Sequence, residues 1–166
     1  MSSRTEVTNI VFAGLGGQGV LKASDIAADA AFFAGLDVKK SELHGMSQRG
    51  GSVTSDVRFG DRVASPMVPS GEADYLVVIA PDQVDVNRWQ LREGGTLIAP
   101  SLIPPDSLPH KKALNVALLG VLSAMASIGA DHWAAAIRAN LPENLHEANL
   151  AAFELGRTVA RTEFNV

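Results

Sequence analysis

The sequence predicts an α/β fold: an open, doubly wound and mostly parallel sheet with a hairpin at one edge and a helical C-terminal third. Three observations favour this class. A short apolar run passes through a glycine-rich turn into helical periodicity, a second apolar run lacks alternation, and residues beyond 113 show helical periodicity. The 166 residues, 46% hydrophobic and 19% charged, predict one core and a single domain over 1–166.

A change in the spacing of apolar residues predicts the first strand and the first helix. Residues 8–13 are β-rich, whereas residues 20–34 place apolar side chains at helical spacing until Gly35 ends the helix. Residues 37–42 predict a second strand. The short links make a β-α-β unit, whose handedness would put the helix on one face of a parallel sheet.

The middle of the chain predicts a hairpin and then the central strand. Residues 52–59 alternate apolar and polar side chains, and Gly60-Asp61 could turn them into a partner strand at 63–68. Prolines 66 and 69 would confine that hairpin to an edge. Residues 75–80 are apolar without alternation, as a strand buried on both faces should be.

After the central strand the sequence predicts one more helix and one more strand, and then only helices. A helix at about 81–91, a turn at Glu93-Gly94-Gly95 and a strand at 96–99 are followed by a four-proline loop at 100–112. The last predictions are a helix at 114–128, one from an Asp131 N-cap to Asn140, and one from a first-turn Pro142 to about Arg161.

Composition and charge exclude several function classes. A formal net charge of −4, with no Lys/Arg run longer than the pairs Lys39-Lys40 and Lys111-Lys112, argues against nucleic acid. Without cysteine the chain can hold neither a disulfide nor a cysteine-ligated Fe–S cluster. An N-terminus without an apolar signal core, and a longest apolar stretch (116–128) too short for a bilayer, predict a cytoplasmic protein without a membrane partner.

A glycine-rich turn at 13–19 is the first candidate site. Gly14, Gly16 and Gly19 fit the G-x-G-x-x-G spacing of Rossmann-like folds, between a predicted strand and a predicted helix. The first turn of such a helix has unpaired N–H groups and a partial positive charge, which suit a phosphate or carboxylate. The alternative is that these glycines only solve a steric problem at the junction.

A second glycine-containing segment, 41–52, is expected beside the first. It would leave the carboxyl edge of the second strand, where open α/β sheets bind ligands. His44, Gln48 and Arg49 could grip an anion or a partner carboxylate. The alternative is a surface loop whose glycines satisfy turn geometry.

Four motifs together resemble a known family. They are Gly-Leu-Gly-Gly-Gln-Gly at 14–19, Ser-Glu-Leu-His-Gly-Met-Ser-Gln-Arg-Gly-Gly-Ser at 41–52, Gly-Glu-Ala-Asp at 71–74 and Glu-Ala-Asn-Leu-Ala-Ala-Phe at 147–153. The chain resembles the gamma subunit of 2-oxoacid:ferredoxin oxidoreductases, with the beta subunit of indolepyruvate ferredoxin oxidoreductase as the nearest branch. The resemblance covers nearly the whole chain and implies a single pyruvate/ketoisovalerate oxidoreductase gamma-type domain over 1–166.

The resemblance implies a reaction and a division of labour. Such complexes convert a 2-oxoacid and coenzyme A into acyl-CoA and CO2, and pass electrons to ferredoxin. Thiamine diphosphate, Mg and 4Fe-4S clusters are expected in a large alpha subunit of a hetero-oligomer, which agrees with the absence of cysteine here. Relatives usually carry a further helix and strand where only residues 100–114 bridge the gap in this chain, so the sheet is expected to be shorter.

This chain is expected to bind rather than to catalyse. Its four histidines fall on separate segments without metal-binding spacing, and no nucleophile triad or carboxylate pair emerges. Coenzyme A at the subunit interface is the favoured ligand. The predicted binding residues are Gly14, Gly16, Gly17, Gln18, Gly19, Glu42, His44, Met46, Gln48, Arg49, Gly50, Gly51 and Ser52.

Two other functions stay open at this point. A purely structural subunit would use both loops to bind protein alone. A free NAD-dependent dehydrogenase would need an acidic residue about 20 positions beyond the glycines. Glu42 lies 23 residues past Gly19, and 166 residues leave no room for a second, substrate-binding domain.

Overall fold

The computed structural model describes residues 6–44 and 51–166, which form a five-stranded sheet and five α-helices. The strands are β1 (Thr8–Leu15), β2 (Asp37–His44), β3 (Ser52–Gly60), β4 (Ala73–Val78) and β5 (Leu91–Ile98). The helices are α1 (Val20–Phe33), α2 (Val84–Asn87), α3 (Leu114–Ser123), α4 (Ala130–Asn140) and α5 (His146–Phe164). Short 3₁₀ turns lie at Pro81–Gln83, Arg88–Gln90, Pro100–Leu102, Lys111–Ala113 and Glu143–Leu145.

The sheet order is β2-β3-β1-β4-β5. β4 is parallel to both β1 and β5, whereas β3 is antiparallel to both β1 and β2. Four strands therefore point the same way and β3 alone opposes them. The predicted α/β class with an open sheet, an edge hairpin and a helical C-terminal third is confirmed.

The hairpin is formed by a different pair of strands from the one predicted. β3 pairs with β2 instead of with residues 63–68, and it separates β2 from β1. Both edges of β3 are thus occupied, so residues 63–68 cannot pair with it. They are held instead by side chains of the sheet: Asp37 Oδ2 accepts from Val63 N at 2.7 Å, and Asp56 Oδ2 from Val68 N at 2.9 Å.

The two faces of the sheet are covered unequally. One carries the main core, where Ile10 and Phe12 pack with buried side chains of α1, α3, α4 and α5. The other carries a small cluster around Val11 and Leu76, covered only by partly buried side chains that include Val68 from the 61–72 segment. The second helical layer expected of a doubly wound sheet is reduced to α2, which has four residues.

Three predictions around α2 and β5 were wrong: the helix at 81–91, the turn at 93–95 and a strand that begins at 96. The helix expected at 81–91 is broken into α2 and two flanking 3₁₀ turns. Residues 93–95 lie inside β5 instead of forming a turn before it. Gly94 adopts φ 77°, a left-handed conformation that a glycine tolerates, and the β4–β5 pairing shifts register there.

The helical third begins and ends its helices differently from the prediction. α3 ends at Ser123 instead of 128, and the N-cap of α4 is Gly129, with Asp131 in the first turn. Pro142 precedes a 3₁₀ turn that leads into α5. None of the helices in the described ranges is long and apolar enough to cross a membrane.

Helices α3 and α5 cross at unusually close range. A Cβ added to Gly120 would lie 2.0 Å from the carbonyl oxygen of Phe153, and one added to Gly156 would lie 1.9 Å from that of Ala117. The two glycines therefore let the backbones touch. This contact fixes α3, whose N-terminal end reaches the glycine turn.

Candidate functional site

The glycine turn joins β1 to α1 at the carboxyl edge of the sheet, as predicted. Gly17 and Gly19 adopt φ 89° and 85°, in the left-handed region that side chains rarely occupy. Gln18 folds back so that its Oε1 accepts from Leu15 N at 2.8 Å. The side chain of Gln18 therefore closes the turn from within.

Other glycines of the turn are required by close packing. A Cβ on Gly14 would lie 2.7 Å from Val20 Cγ2, and one on Gly19 would lie 2.5 Å from Asn115 Nδ2. Around Gly17, in contrast, no atom lies within 4 Å of the Cβ position. A ligand can thus approach the backbone at Gly17 from outside. At Gly14 and Gly19, in contrast, a side chain would clash, as expected if these glycines only solve a steric problem.

A cationic pocket of about 420 Å³ opens between the glycine turn and the start of α3. It brings together the first turn of α1 and the 3₁₀ turn that precedes α3. Three of its lining residues are lysines, and both helix starts add a partial positive charge. The lining residues are Gly17, Gln18, Gly19, Lys22, Ile79, Lys111, Lys112, Leu114 and Asn115.

Sequence reasoning missed the second wall of this pocket. As a short run, Lys111 and Lys112 argue only against nucleic acid, and no sequence motif marks Asn115. In the structure Asn115 is buried and donates from Nδ2 to the carbonyl of Gly19 at 3.2 Å, which ties α3 to the turn. The sequence does place a lysine pair just before its most apolar predicted helix. Such a pair lies at the N-terminus of that helix, where it adds positive charge to a possible anion site.

A smaller, more apolar pocket of about 250 Å³ also adjoins the turn. It shares Gly17, Gly19 and Lys22 with the cationic pocket. Its further lining is apolar apart from one glycine: Leu15, Gly16, Val20, Leu21 and Val53. The turn is therefore flanked by a charged and an apolar cavity that meet over the same glycines.

The described end of the second segment lies against this turn. Gly16 N donates to the carbonyl of Gly51 at 2.8 Å, and Ser52 pairs with Leu15 across the β1–β3 ladder. The structure therefore brings Gly51 and Ser52 beside Gly16, where the sequence placed them. The expected site residues Met46, Gln48, Arg49 and Gly50 lie outside the described residues, as does the side chain of His44.

Glu42 is not brought to the glycine turn. It lies on β2, with β3 between it and β1, so two strand spacings, about 10 Å, separate the two strands. Lys40 binds the Glu42 carboxylate and also contacts Asp25 Oδ1 at 2.6 Å. Burial lowers the pKa of Lys40, but these two hydrogen-bonded carboxylates raise it more, so the net shift is upward.

The described residues hold no cluster suited to metal binding. No group of three or more His, Asp or Glu side chains comes together within 6–44 and 51–166 in a way that could hold an ion. His110 Nδ1 accepts from Lys112 N at 3.1 Å, and His146 Nε2 lies 2.7 Å from the carbonyl of Leu141. Both histidines therefore support local backbone. The chemistry that the described site can perform is anion binding.

Comparison with known proteins places this architecture in a family. The model of the pyruvate ferredoxin/flavodoxin oxidoreductase family matches residues 9–111. The indolepyruvate oxidoreductase subunit IorB of Pyrococcus horikoshii is 33% identical over 200 aligned positions, covering 95% of this chain and 98% of that one. An alignment of 200 positions requires gaps in a chain of 166 residues, so the relative carries residues that this chain lacks.

Solved structures share the same fold. The gamma subunit of a keto/oxoacid ferredoxin oxidoreductase from Geobacter sulfurreducens superimposes with a TM-score of 0.80 at 26% identity, covering 93% of this chain and 99% of that one. A 2-oxoglutarate:ferredoxin oxidoreductase from Magnetococcus marinus also gives 0.80, at 19% identity, and covers 97% of this chain but 32% of its own. At that identity the second likeness shows the fold alone. Sequence and structure agree that this chain belongs to the pyruvate ferredoxin/flavodoxin oxidoreductase family.

Proposed function

We propose that this chain is the subunit of a 2-oxoacid:ferredoxin oxidoreductase that helps to bind coenzyme A at the interface with a large catalytic subunit. The complex would decarboxylate a 2-oxoacid, in the indolepyruvate or arylpyruvate class, to acyl-CoA and CO2. The relationship to indolepyruvate oxidoreductase subunits supports this substrate class. Thiamine diphosphate, Mg and 4Fe-4S clusters would belong to the large alpha subunit, with ferredoxin as the electron acceptor.

One observation carries the proposed ligand: the cationic pocket beside an open glycine. Lys22, Lys111 and Lys112 converge there with two helix starts, and the backbone at Gly17 is free to be approached. Coenzyme A carries a diphosphate and a 3′-phosphate, and such groups bind well to lysines and to helix N-termini. The pocket therefore suits the anionic end of coenzyme A.

The apolar pocket favours the same ligand over a simple anion. It meets the cationic pocket over Gly17 and Gly19, and it extends toward Val53 at the start of β3. A ligand with both phosphates and a less polar arm could occupy both cavities at once. Gly51 and Ser52 lie at the same edge, so the arm would point toward the segment that we propose faces the partner.

The structure disfavours a nicotinamide dinucleotide at this turn. In dinucleotide sites the acidic residue that binds the ribose hydroxyls lies on the strand next to the glycine turn. Here β3 is inserted between β1 and β2, and Lys40 already neutralises Glu42. Titration of the full chain with NADH tests this alternative: micromolar binding would again favour an NAD-dependent dehydrogenase.

The decisive experiment measures coenzyme A dependence in the assembled complex. The chain is co-expressed with the large subunit expected from a neighbouring reading frame, and turnover is measured at saturating 2-oxoacid. We expect the double variant Lys111→Ala/Lys112→Ala to raise the KM for coenzyme A about tenfold, which corresponds to about 1.4 kcal/mol. Gly17→Val should act similarly, because Gly17 lines the pocket and valine is strained at its φ of 89°.

Controls separate this role from a scaffold. Lys39→Ala, which alters a lysine outside the pocket lining, should leave the KM unchanged. Arg49→Ala tests the sequence-based expectation for the second segment. If the double lysine variant assembles normally and keeps its coenzyme A dependence, the site is elsewhere and a purely structural subunit becomes the better interpretation.

A further inference from the structure

Strand β2 forms one outer edge of the sheet. Its eight residues pair with β3 in eight consecutive positions without a register shift. On its other side no described residue continues the sheet. Outward-facing backbone N–H and C=O groups along such an edge can pair with a strand from another chain.

The two edges of the sheet differ in how they resist such pairing. β5, at the opposite edge, has an irregular register and carries Gly94 in the left-handed conformation. Bulges of this kind are a usual protection of edge strands. β2 has no bulge, no proline and no left-handed residue, and the side chain of its Leu43 is 70% exposed. Lys39 and Lys40 give β2 some protection of their own, but its backbone is the more regular of the two edges.

The charges along β2 allow a second copy of the same strand to pair with it in a complementary register. Two antiparallel copies of β2 related by a twofold axis would pair each residue with one equally distant from a central residue. Centres at Asp37, Lys39, Lys40 or Glu42 would place like charges directly opposite one another, which is destabilising. A centre at Val38 would place Lys39 opposite Asp37, whose Oδ2 already accepts a hydrogen bond from Val63 N. A centre at Ser41 places Lys40 opposite Glu42 twice.

The register centred on Ser41 also suits Lys39 and Leu43. Lys39 would lie opposite Leu43, where its aliphatic stem can cover the exposed leucine. Lys40 and Glu42 already contact each other within one chain, on the face that carries Asp25. Two copies would extend this contact into a ring of four alternating charges.

We propose that two copies of this chain pair through β2, antiparallel and centred on Ser41, to form a continuous ten-stranded sheet. One pair of eight-residue strands is a small contact beside the roughly 1,200–2,000 Å² of a stable interface, so we expect the isolated chain to dimerise weakly. This surface lies on the β2 side of the sheet and is independent of the proposed coenzyme A pocket.

The test uses the absence of cysteine from the chain. In the proposed register the two Ser41 Cα atoms face each other across the twofold at about 4.5–5.5 Å, within the range of a disulfide. The two Leu43 positions would be about 14 Å apart. Under mild oxidation, full-length Ser41→Cys should form disulfide dimers at least about tenfold faster than Leu43→Cys.

Leu43→Cys is a stringent control because Leu43 is the more exposed position, so random collision would favour it. Equal rates, or faster dimerisation of Leu43→Cys, would overturn the proposal. The same pair is then oxidised in complex with the large subunit. A Ser41→Cys disulfide that persists there supports the pairing, whereas its loss would mean that a partner strand covers the edge and would also overturn it.

Discussion

For Gly156→Ala, helix propensity predicts a higher free energy of unfolding, whereas the structure predicts a lower one. Alanine in a helix is intrinsically more stable than glycine by about 1 kcal/mol. In this structure, however, the added Cβ would lie 1.9 Å from the carbonyl oxygen of Ala117, and real Cβ contacts do not fall below 3.0 Å. Helix α5 would have to move away from α3 by about 1.1 Å.

That displacement is large on the scale of packing forces. A gap of about 1 Å forfeits up to half of each van der Waals contact, and nine of the ten residues of α3 are buried. We therefore expect Gly156→Ala to lower the free energy of unfolding by about 3 kcal/mol, at the upper end of overpacking effects. For a chain of this size that corresponds to a Tm lower by about 6–12 °C.

Urea unfolding of the full chain, followed by circular dichroism, measures this effect. Gly35→Ala is the matched control, since Gly35 has φ 82° but no atom within 4 Å of its Cβ position. Its cost should be about 1–2 kcal/mol, from the left-handed backbone alone. If Gly156→Ala were as stable as wild type, the close contact of α3 and α5 would be refuted.

Three further changes test separate contacts by the same unfolding assay. Gly14→Ala should cost about 1–3 kcal/mol, because its Cβ would lie 2.7 Å from Val20 Cγ2; an unchanged midpoint would contradict the packing of the turn. Burial raises the pKa of Asp56, although the hydrogen bond from Val68 N lowers it. The folded chain thus holds this proton more tightly, so ionisation costs stability as pH rises from about 4 through the raised pKa. Asp56→Asn keeps an acceptor and should remove that part of the pH dependence; an unchanged pH profile would argue against it. Lys40→Met should cost about 1 kcal/mol at low salt and less in concentrated NaCl, and a salt-independent loss would indicate packing instead of charge.

The sequence predicted local elements well because their causes are local. The glycine spacing and the change of period at Val20 predicted the turn and α1 correctly. The alternation of 52–59 likewise predicted a strand, but nothing in it specifies a partner. β3 pairs with β1 and β2 because each of its edges fits a neighbouring strand while Val53, Val57 and Phe59 enter the main core, and that information is spread over distant residues.

The candidate site shows the same limit. The turn and its convergence with Gly51 and Ser52 follow from a motif and from strand direction. Lys111 and Lys112 come from about 90 positions further along the chain, and the hydrogen bond from Asn115 to Gly19 ties the helix that follows them to the turn. Distant residues of this kind are invisible to motif analysis until the helix that carries them has been placed.

The direction of β3 places the connections before and after it at opposite edges of the sheet. Because β3 alone runs backwards, the chain between β2 and β3 starts and finishes at the carboxyl edge, beside the glycine turn. The chain between β3 and β4 starts and finishes at the opposite edge. A longer connection between β3 and β4 would therefore leave the glycine turn untouched, whereas the connection between β2 and β3 ends at Gly51 and Ser52, which lie directly against that turn.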